Sequence, residues 1–280
     1  MNIQTAIKIG SQILRDNNVK SAMLDSEILM STVLQRDRNY TLLNEEKILS
    51  KQSLQVFNKL ICQRLKGKPI AYLTGKKEFW KYEFQVKEGI LIPRPDTEIL
   101  VEEVLKITRN NSNLRILDIG VGSGCLLLSI LKERKNFHGT GIDKSKICLD
   151  MSKINSFKLG LMNRVKFFKS DIDNFKCGKY DLIISNPPYI NKFDLQYLEK
   201  DVRIFEPKLA LNGGLDGISE IRKVINKSSE LIKKNGKLVL EMAFDQKEKV
   251  KTILKKKGFY INKIIKDFAH NDRCIISTKI

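Results

Sequence analysis

A chain of 280 residues, 42% hydrophobic and 30% charged, can bury a large core and still hold a second, smaller domain. The longest apolar run, around Cys125–Leu131, falls far short of the roughly 20 residues that span a bilayer, and the first residues lack a basic-then-apolar leader, so a cytoplasmic protein without membrane contact is expected. The net charge of +19 permits an RNA-rich or ribosome-associated partner, yet the lysines are spread over the whole chain, and Lys233-Lys234 and Lys255-Lys256-Lys257 precede glycines, where helix ends favour cations. Cys62, Cys125, Cys148, Cys177 and Cys274 are widely spaced, and His138 and His270 lie far apart. Neither a metal site nor a disulfide framework is expected, and reduced thiols suit the cytoplasm.

Residues 1–75 read as helices. Apolar positions recur at helical spacing from Ala22 to Leu34 and from Ile48 to Leu65, with few glycines or prolines. Ser21 or Asp25 is placed to cap the second helix. From Lys77 to Ile92 the pattern turns alternating and aromatic (Phe79, Trp80, Tyr82, Phe84, Val86), which predicts a short hairpin turning at Glu88-Gly89. Pro93-Arg94-Pro95-Asp96-Thr97-Glu98 is a stiff turn, with Asp96 or Thr97 as cap of a helix through Ile99, Leu100, Val104 and Leu105.

After Asn113 strands and helices alternate. Strands are predicted at Leu114–Ile119, His138–Ile142, Val165–Ser170, Leu182–Ser185, Lys237–Glu241, Tyr260–Ile265 and Cys274–Thr278. Helical stretches between them argue for a mostly parallel sheet covered on both faces. The link from Lys266 to Arg273 is too short for a crossover helix, so the last two strands form an antiparallel edge hairpin. The predicted class is α/β: a small helical domain (1–75), a β-hairpin linker (76–93) and a doubly wound, Rossmann-like domain (94–280) with seven strands.

Leu117-Asp118-Ile119-Gly120-Val121-Gly122-Ser123-Gly124 sits where the first parallel strand turns into a helix, and in such sheets ligands bind beyond the strands' C-terminal ends. The spacing is GxGxG. The pyrophosphate fingerprint GxGxxG requires a glycine where this chain has Cys125. A loop that cradles no phosphate fits a ligand without one, such as S-adenosylmethionine. Asp143 ends the second strand and can accept both hydroxyls of a ribose; Ser170-Asp171 ends the third, placed for an adenine amino group. These residues point to an adenosyl ligand and leave NAD open.

The fourth strand runs into Asn186-Pro187-Pro188-Tyr189. Two prolines fix the backbone and remove two N–H donors, which leaves carbonyls free to accept, and the Asn186 oxygen adds another acceptor. Such acceptors can hold the two hydrogens of a planar NH2 group, against which Tyr189 can pack. An amide nitrogen is a poor nucleophile, because its lone pair is delocalised into the carbonyl. Acceptors aimed at its developing tetrahedral geometry localise that pair and orient the nitrogen for attack. The motif by itself reaches a planar amino or amide nitrogen and does not separate glutamine from adenine or guanine.

Over nearly its full length the chain resembles the release-factor glutamine methyltransferases, the HemK/PrmC family of class I methyltransferases. The resemblance is carried by Lys68-Pro69-Ile70-Ala71-Tyr72-Leu73-Thr74-Gly75, Glu78-Phe79-Trp80, Leu91-Ile92 with Pro93 to Glu98, and Asn186 to Tyr189. Further matches are Val202-Arg203, Glu206-Pro207, Ala210-Leu211 and Gly213-Gly214-Leu215-Asp216-Gly217. It implies methyl transfer from S-adenosylmethionine to the glutamine of the Gly-Gly-Gln loop of peptide chain release factors. By matched position Gly120, Val121, Gly122, Ser123, Gly124, Asp143 and Asn186 contact the cofactor, Ile172 lines the adenine pocket, and Asn186 to Tyr189 hold the glutamine. The helical domain is then the part that grips the release factor, and nothing demands more than a monomer.

Three other readings stay in view. A sister family methylates a glutamine of a large-subunit ribosomal protein and shares the Asn-Pro-Pro-Tyr motif, but usually lacks the continuation Asp96-Thr97-Glu98. DNA adenine or RNA guanine amino-methyltransferases are expected to carry a nucleic-acid-binding domain, which residues 1–75 do not resemble, so no direct DNA binding is expected. A nucleotide- or RNA-binding module without catalysis leaves the proline-fixed acceptors without a purpose.

Overall fold

The computed structural model describes all 280 residues. They fall into two compact units, residues 1–76 with Glu199–Phe205 and residues 77–198 with 206–280. The first unit begins with five helices: α1 (Ile3–Asp16), α2 (Ala22–Leu34), α3 (Arg38–Leu43), α4 (Lys51–Leu65) and α5 (Ile70–Thr74). The carboxamide oxygen of Asn2 caps α1 and the Ser50 hydroxyl caps α4, each accepting from a backbone N–H three residues on. Ile3, Ile7, Leu14, Leu29, Met30, Phe57 and Ile61 form the core of the helical region. Gly10 lets helices approach closely, since a Cβ there would stand 2.8 Å from Ser26 Oγ and 2.9 Å from Phe57 Cζ.

The cap expected on α2 does not form. Ser21 makes no side-chain capping bond, and Asp25 is buried with its carboxylate accepting from Arg64 Nε at 2.7 Å. A partner 39 residues away has overridden the local one.

The hairpin consists of β1 (Lys76–Phe79) and β2 (Tyr82–Gln85), so its turn is at Trp80-Lys81 and not at Glu88-Gly89, which form a separate turn after it. Trp80 has a φ of 58°, a conformation costly for a side chain of its size. Its surroundings hold it there: the backbone N–H donates to Glu98 Oε1 at 2.8 Å, and the indole N–H to Glu133 Oε1 at 3.0 Å.

The rest of the chain is α6 (Glu98–Ile107), β3 (Arg115–Ile119), α7 (Cys125–Glu133), β4 (His138–Asp143), α8 (Lys146–Lys158), β5 (Val165–Lys169), β6 (Tyr180–Ser185), α9 (Lys200–Phe205), α10 (Lys208–Leu211), α11 (Ser219–Leu231), β7 (Ile232–Glu241), α12 (Lys247–Lys256), β8 (Phe259–Lys266) and β9 (Asp272–Lys279). All seven predicted strands are present. They form one sheet in the order β5-β4-β3-β6-β7-β9-β8, parallel from β5 to β7, with β9 and β8 antiparallel at one edge. Lys233 and Lys234 lie in β7, beyond the helix end at Leu231 that they were expected to flank.

Alternate residues of each central strand feed opposite faces of the sheet. Ile116, Leu182, Ile184 and Val239 pack with α6 and α7 residues such as Leu100, Val104, Leu127 and Ile130. Leu117, Ile183, Leu238 and Leu240 pack instead with α11 and α12 residues such as Ile221, Ile225, Val250 and Leu254. Burial on both faces is what makes these strands read as continuous apolar runs. The order reverses at β3, between β4 and β6, and that switch point opens the crevice that holds the site. No helix is long and apolar enough to cross a membrane.

Candidate active site

Beyond the C-terminal ends of β3, β4 and β6 lies a cavity whose lining includes Gly120, Val121, Gly122, Ser123, Asp143, Ile172, Asn186, Pro187 and Pro188. Nine residues singled out from sequence therefore meet in one place. Gly124, Asp171 and Tyr189 are not among its lining residues.

Gly120, Gly122 and Gly124 have φ of 78°, 57° and 84°, so the loop after β3 uses conformations that other residues resist. Four of its five amides are already engaged. Gly120 and Val121 N–H donate to the Ile142 carbonyl at 2.9 and 3.0 Å, Gly122 N–H to Asp143 Oδ2 at 3.0 Å, and Gly124 N–H to the Val121 carbonyl at 2.8 Å. A phosphate cradle needs such amides free. This loop packs against β4 and offers its glycine surface, not a fan of donors.

Asp143 accepts from Gly122 N–H through one oxygen and from Ser145 N–H through the other, at 2.8 Å, so each oxygen keeps capacity for one more donor. Burial pushes its carboxyl above the usual range. Asp171 is turned away: its carboxylate accepts from Asp173 N–H and pairs with Lys144 Nζ at 3.1 Å, while Ser170 and Ile172 on either side line the cavity. Gly124 lies just before α7, where a Cβ would strike Leu128 Cδ1 at 2.8 Å.

At the end of β6, Pro187 and Pro188 leave their carbonyls without a hydrogen bond inside the protein. The next two carbonyls are taken, Tyr189 by Gln246 Nε2 at 2.8 Å and Ile190 by Gly213 N–H at 2.8 Å. A Cβ on Gly213 would stand 2.8 Å from Tyr189 Cα, so the Gly213–Gly217 segment presses against the backbone beyond the prolines. Tyr189 does not face the cavity. Its ring packs among the apolar residues on the α11 face, and its hydroxyl donates to Glu241 Oε1 at 3.1 Å.

The Asn186 amide donates through Nδ2 to Thr97 Oγ1 at 3.2 Å. Thr97 was expected to cap α6. It is instead the last residue of a 3-10 turn, Pro95–Thr97, and makes no cap. The turn is anchored to the segment before α10: Glu206 accepts from Ile92 N–H at 3.1 Å and pairs with Arg94. Ile92, Pro93, Arg94, Pro207, Leu209 and Ala210 line the cavity wall that results.

Thr97, which lines the cavity, gives no sign of a functional role in the sequence, nor do two buried acids outside the lining, Asp118 and Glu241. Asp118 is 1% exposed, and burial together with the nearby Asp143 pushes its carboxyl up to about 8, against a backbone hydrogen bond from Leu127. Thr97 accepts from Asn186, and Glu241 accepts from the Tyr189 hydroxyl away from the cavity. In the sequence Asp118 belongs to the strand before the glycine loop and Thr97 to the proline turn, and Glu241 only ends a strand.

Comparison with known proteins follows the same lines. Residues 5–75 match the PrmC N-terminal domain family, and residues 110–275 match a methyltransferase domain family. A release factor glutamine methyltransferase of Clostridium acetobutylicum is 37% identical over 282 aligned residues, covering 100% of this chain and 99% of that protein. A protein of the same name from Buchnera aphidicola is 39% identical, with both chains covered completely. A methyltransferase from Pyrococcus furiosus shares the fold, with a TM-score of 0.55 at 18% identity over 78% of this chain and 96% of that one.

Proposed function

Because the chain belongs to the release factor glutamine methyltransferase family, we propose that it methylates the side-chain amide nitrogen of the glutamine in the Gly-Gly-Gln loop of peptide chain release factors, with S-adenosylmethionine as donor. The observation that carries this reading is the row of acceptors at the end of β6, two proline carbonyls without partners beside the Asn186 side chain, on the wall of a glycine-lined cavity. A primary amide brings two N–H donors to such a wall.

The residues present fit the cofactor. The loop of Gly120 to Gly124 spends four of its five amides internally and offers no fan of donors for a pyrophosphate, which disfavours a dinucleotide. Asp143 retains acceptor capacity for ribose hydroxyls. Gly120, Val121, Gly122, Ser123, Asp143 and Ile172 would hold S-adenosylmethionine, with Asn186 between it and the substrate. Bound there, it would supply an electrophilic sulfonium methyl, with its thioether as the leaving group. The acceptors draw on the two N–H groups, pyramidalise the nitrogen and expose its lone pair. No strong base is needed before attack, because the nitrogen becomes acidic only once alkylated and then releases a proton to solvent.

We assign residues 1–75 to recognition of the release factor away from the reacting loop, residues 76–93 to a connecting hairpin and residues 94–280 to catalysis. Incubating the protein with labelled S-adenosylmethionine and, in parallel, release factor, ribosomal subunits and DNA tests the reading. Label on the release factor is expected; label on ribosomal protein or nucleic acid with none on the release factor would overturn it.

A further inference from the structure

A glutamine carried on a folded protein does not reach the Asn186 wall alone; the surface around its loop comes down on whatever surrounds the cavity mouth. Leu209 marks that mouth, since it lines the cavity and is still 61% exposed. Four loops at the same end of the sheet each carry one large apolar side chain in solvent. These are Phe193, Leu215, Phe244 and Phe268, which are 62, 66, 63 and 88% exposed. All five residues belong to the unit that holds the sheet.

The loops are joined by hydrogen bonds, starting from the proline segment itself. Ile190 N–H donates to the Leu211 carbonyl at 3.0 Å, which ties the chain beyond Tyr189 to the short helix of Leu209. Lys192 N–H donates to the Gly214 carbonyl at 3.0 Å, which sets the loops of Phe193 and Leu215 side by side. Gln246 Nε2 donates to the Tyr189 and Gly217 carbonyls at 2.8 and 2.9 Å, and its Oε1 accepts from Ala243 N–H at 3.0 Å. The loop of Phe244 is thereby fastened to the other two. Met242 N–H donates to the Arg273 carbonyl at 2.9 Å, which brings the β8–β9 turn of Phe268 to the same end. That turn is held closed by Asp267, which accepts from Ala269 N–H, Asn271 N–H and Arg273.

Single apolar side chains on a surface are ordinary. One on each of four joined loops, beside the mouth of a cavity, is the arrangement of an interaction surface. Backbones fixed in advance lower the ordering cost of association, and buried aromatic anchors carry much of an interface's energy. We propose that Phe193, Leu215, Phe244 and Phe268, continued at the mouth by Leu209, form an apolar docking surface for the body of the release factor next to its Gly-Gly-Gln loop. The inference rests on the methyl-transfer reading, which supplies the occupant: a protein whose glutamine reaches Pro187 and Pro188 covers the segment that continues them. The surface sets affinity and leaves the chemistry to Asn186 and the prolines.

The test is Phe244→Ser combined with Phe268→Ser in the full-length protein, two changes outside the cavity lining. In steady-state methylation of release factor, KM should rise about 10-fold or more, as loss of two interface anchors does. The kcat should stay within about twofold of wild type, because the contact is the same before and during methyl transfer. Kd for S-adenosylmethionine by calorimetry and the thermal midpoint should match wild type. Ile154→Ser combined with Phe157→Ser, exposed apolar residues of α8, is the control and should leave KM unchanged. An unchanged KM in the Phe244 and Phe268 variant would overturn the proposal, as would an equal rise in the control or a fall in kcat alone. A wild-type dimer that the variant dissolves while KM holds would assign the surface to a second copy of the chain instead. Wild type that leaves release factor unmethylated would bring down the substrate reading and the proposal together, whereas active wild type with an unchanged variant brings down the proposal alone.

Discussion

Glu241→Gln removes a buried titrating group hydrogen-bonded to Tyr189 while keeping its shape, and its effect on stability depends on pH in a direction the structure dictates. Burial is the main cause that raises the Glu241 carboxyl from its ordinary 4.5 to about 7; the Thr97 and Tyr189 hydroxyls and Arg273 oppose the shift, and Asp96 adds to it. In the unfolded chain the proton leaves near 4.5, while in the folded protein it stays to about 7. Between those values the folded state holds more protons, so stability falls as pH rises. The contribution is fully present below the lower value and lost once pH passes the upper one, and the interval corresponds to roughly 3 kcal/mol. Urea unfolding followed by the fluorescence of Trp80, the single tryptophan, reports on the unit that holds Glu241. From about pH 5 to about pH 8.5, wild type should lose roughly 2–3 kcal/mol relative to Glu241→Gln. Asp118 is raised in the same direction but is common to both proteins and cancels from the difference. Glu103, Glu133 and Asp267 are held below their usual range and act at lower pH. A difference constant within about 0.5 kcal/mol across that range would refute the reasoning.

Gly124→Ala combines a left-handed backbone, costing about 1–2 kcal/mol, with a Cβ 2.8 Å from the fully buried Leu128, costing about 1–3 kcal/mol more. Thermal unfolding should shift down by on the order of 5–15 °C, and an unchanged midpoint would contradict the described loop. Asp143→Ala strips partners from two loop amides and an acceptor from the cavity; calorimetry should show S-adenosylmethionine binding about 10- to 100-fold weaker. Removing residues 1–75 should weaken methylation of the release factor far more than cofactor binding. Equal loss of both would count against a recognition role for the helices.

The sheet was legible because its strands are buried on both faces: Leu182, Ile183 and Ile184 are apolar in succession, and such runs stand out between helical stretches. The loop after β3 was legible because glycines at alternate positions have few other uses. What escaped notice depends on partners distant in sequence. Asp25 reads as a local cap until Arg64, 39 residues on, takes its carboxylate. Thr97 reads the same way until Asn186, 89 residues on, donates to it. The hairpin turn was sought at a glycine, whereas Trp80 adopts the positive φ, held by Glu98 and Glu133 from beyond the hairpin. Asp171 follows the same rule as Asp143, an acidic residue just beyond a parallel strand, yet Lys144 and the Asp173 amide draw its carboxylate elsewhere. Sequence position alone does not tell a strand-end carboxylate that faces a cavity from one that caps the next turn.

The central claim is that Asn186 and its prolines hold a glutamine amide for methylation. The most direct measurement is tandem mass spectrometry of release factor treated with S-adenosylmethionine and either wild-type protein or Asn186→Ala. One added methyl on the glutamine of the Gly-Gly-Gln loop is expected with wild type, with a rate at least about 100-fold lower for the variant at nearly unchanged cofactor affinity. Methylation at another residue, or a fully active variant, would contradict the account.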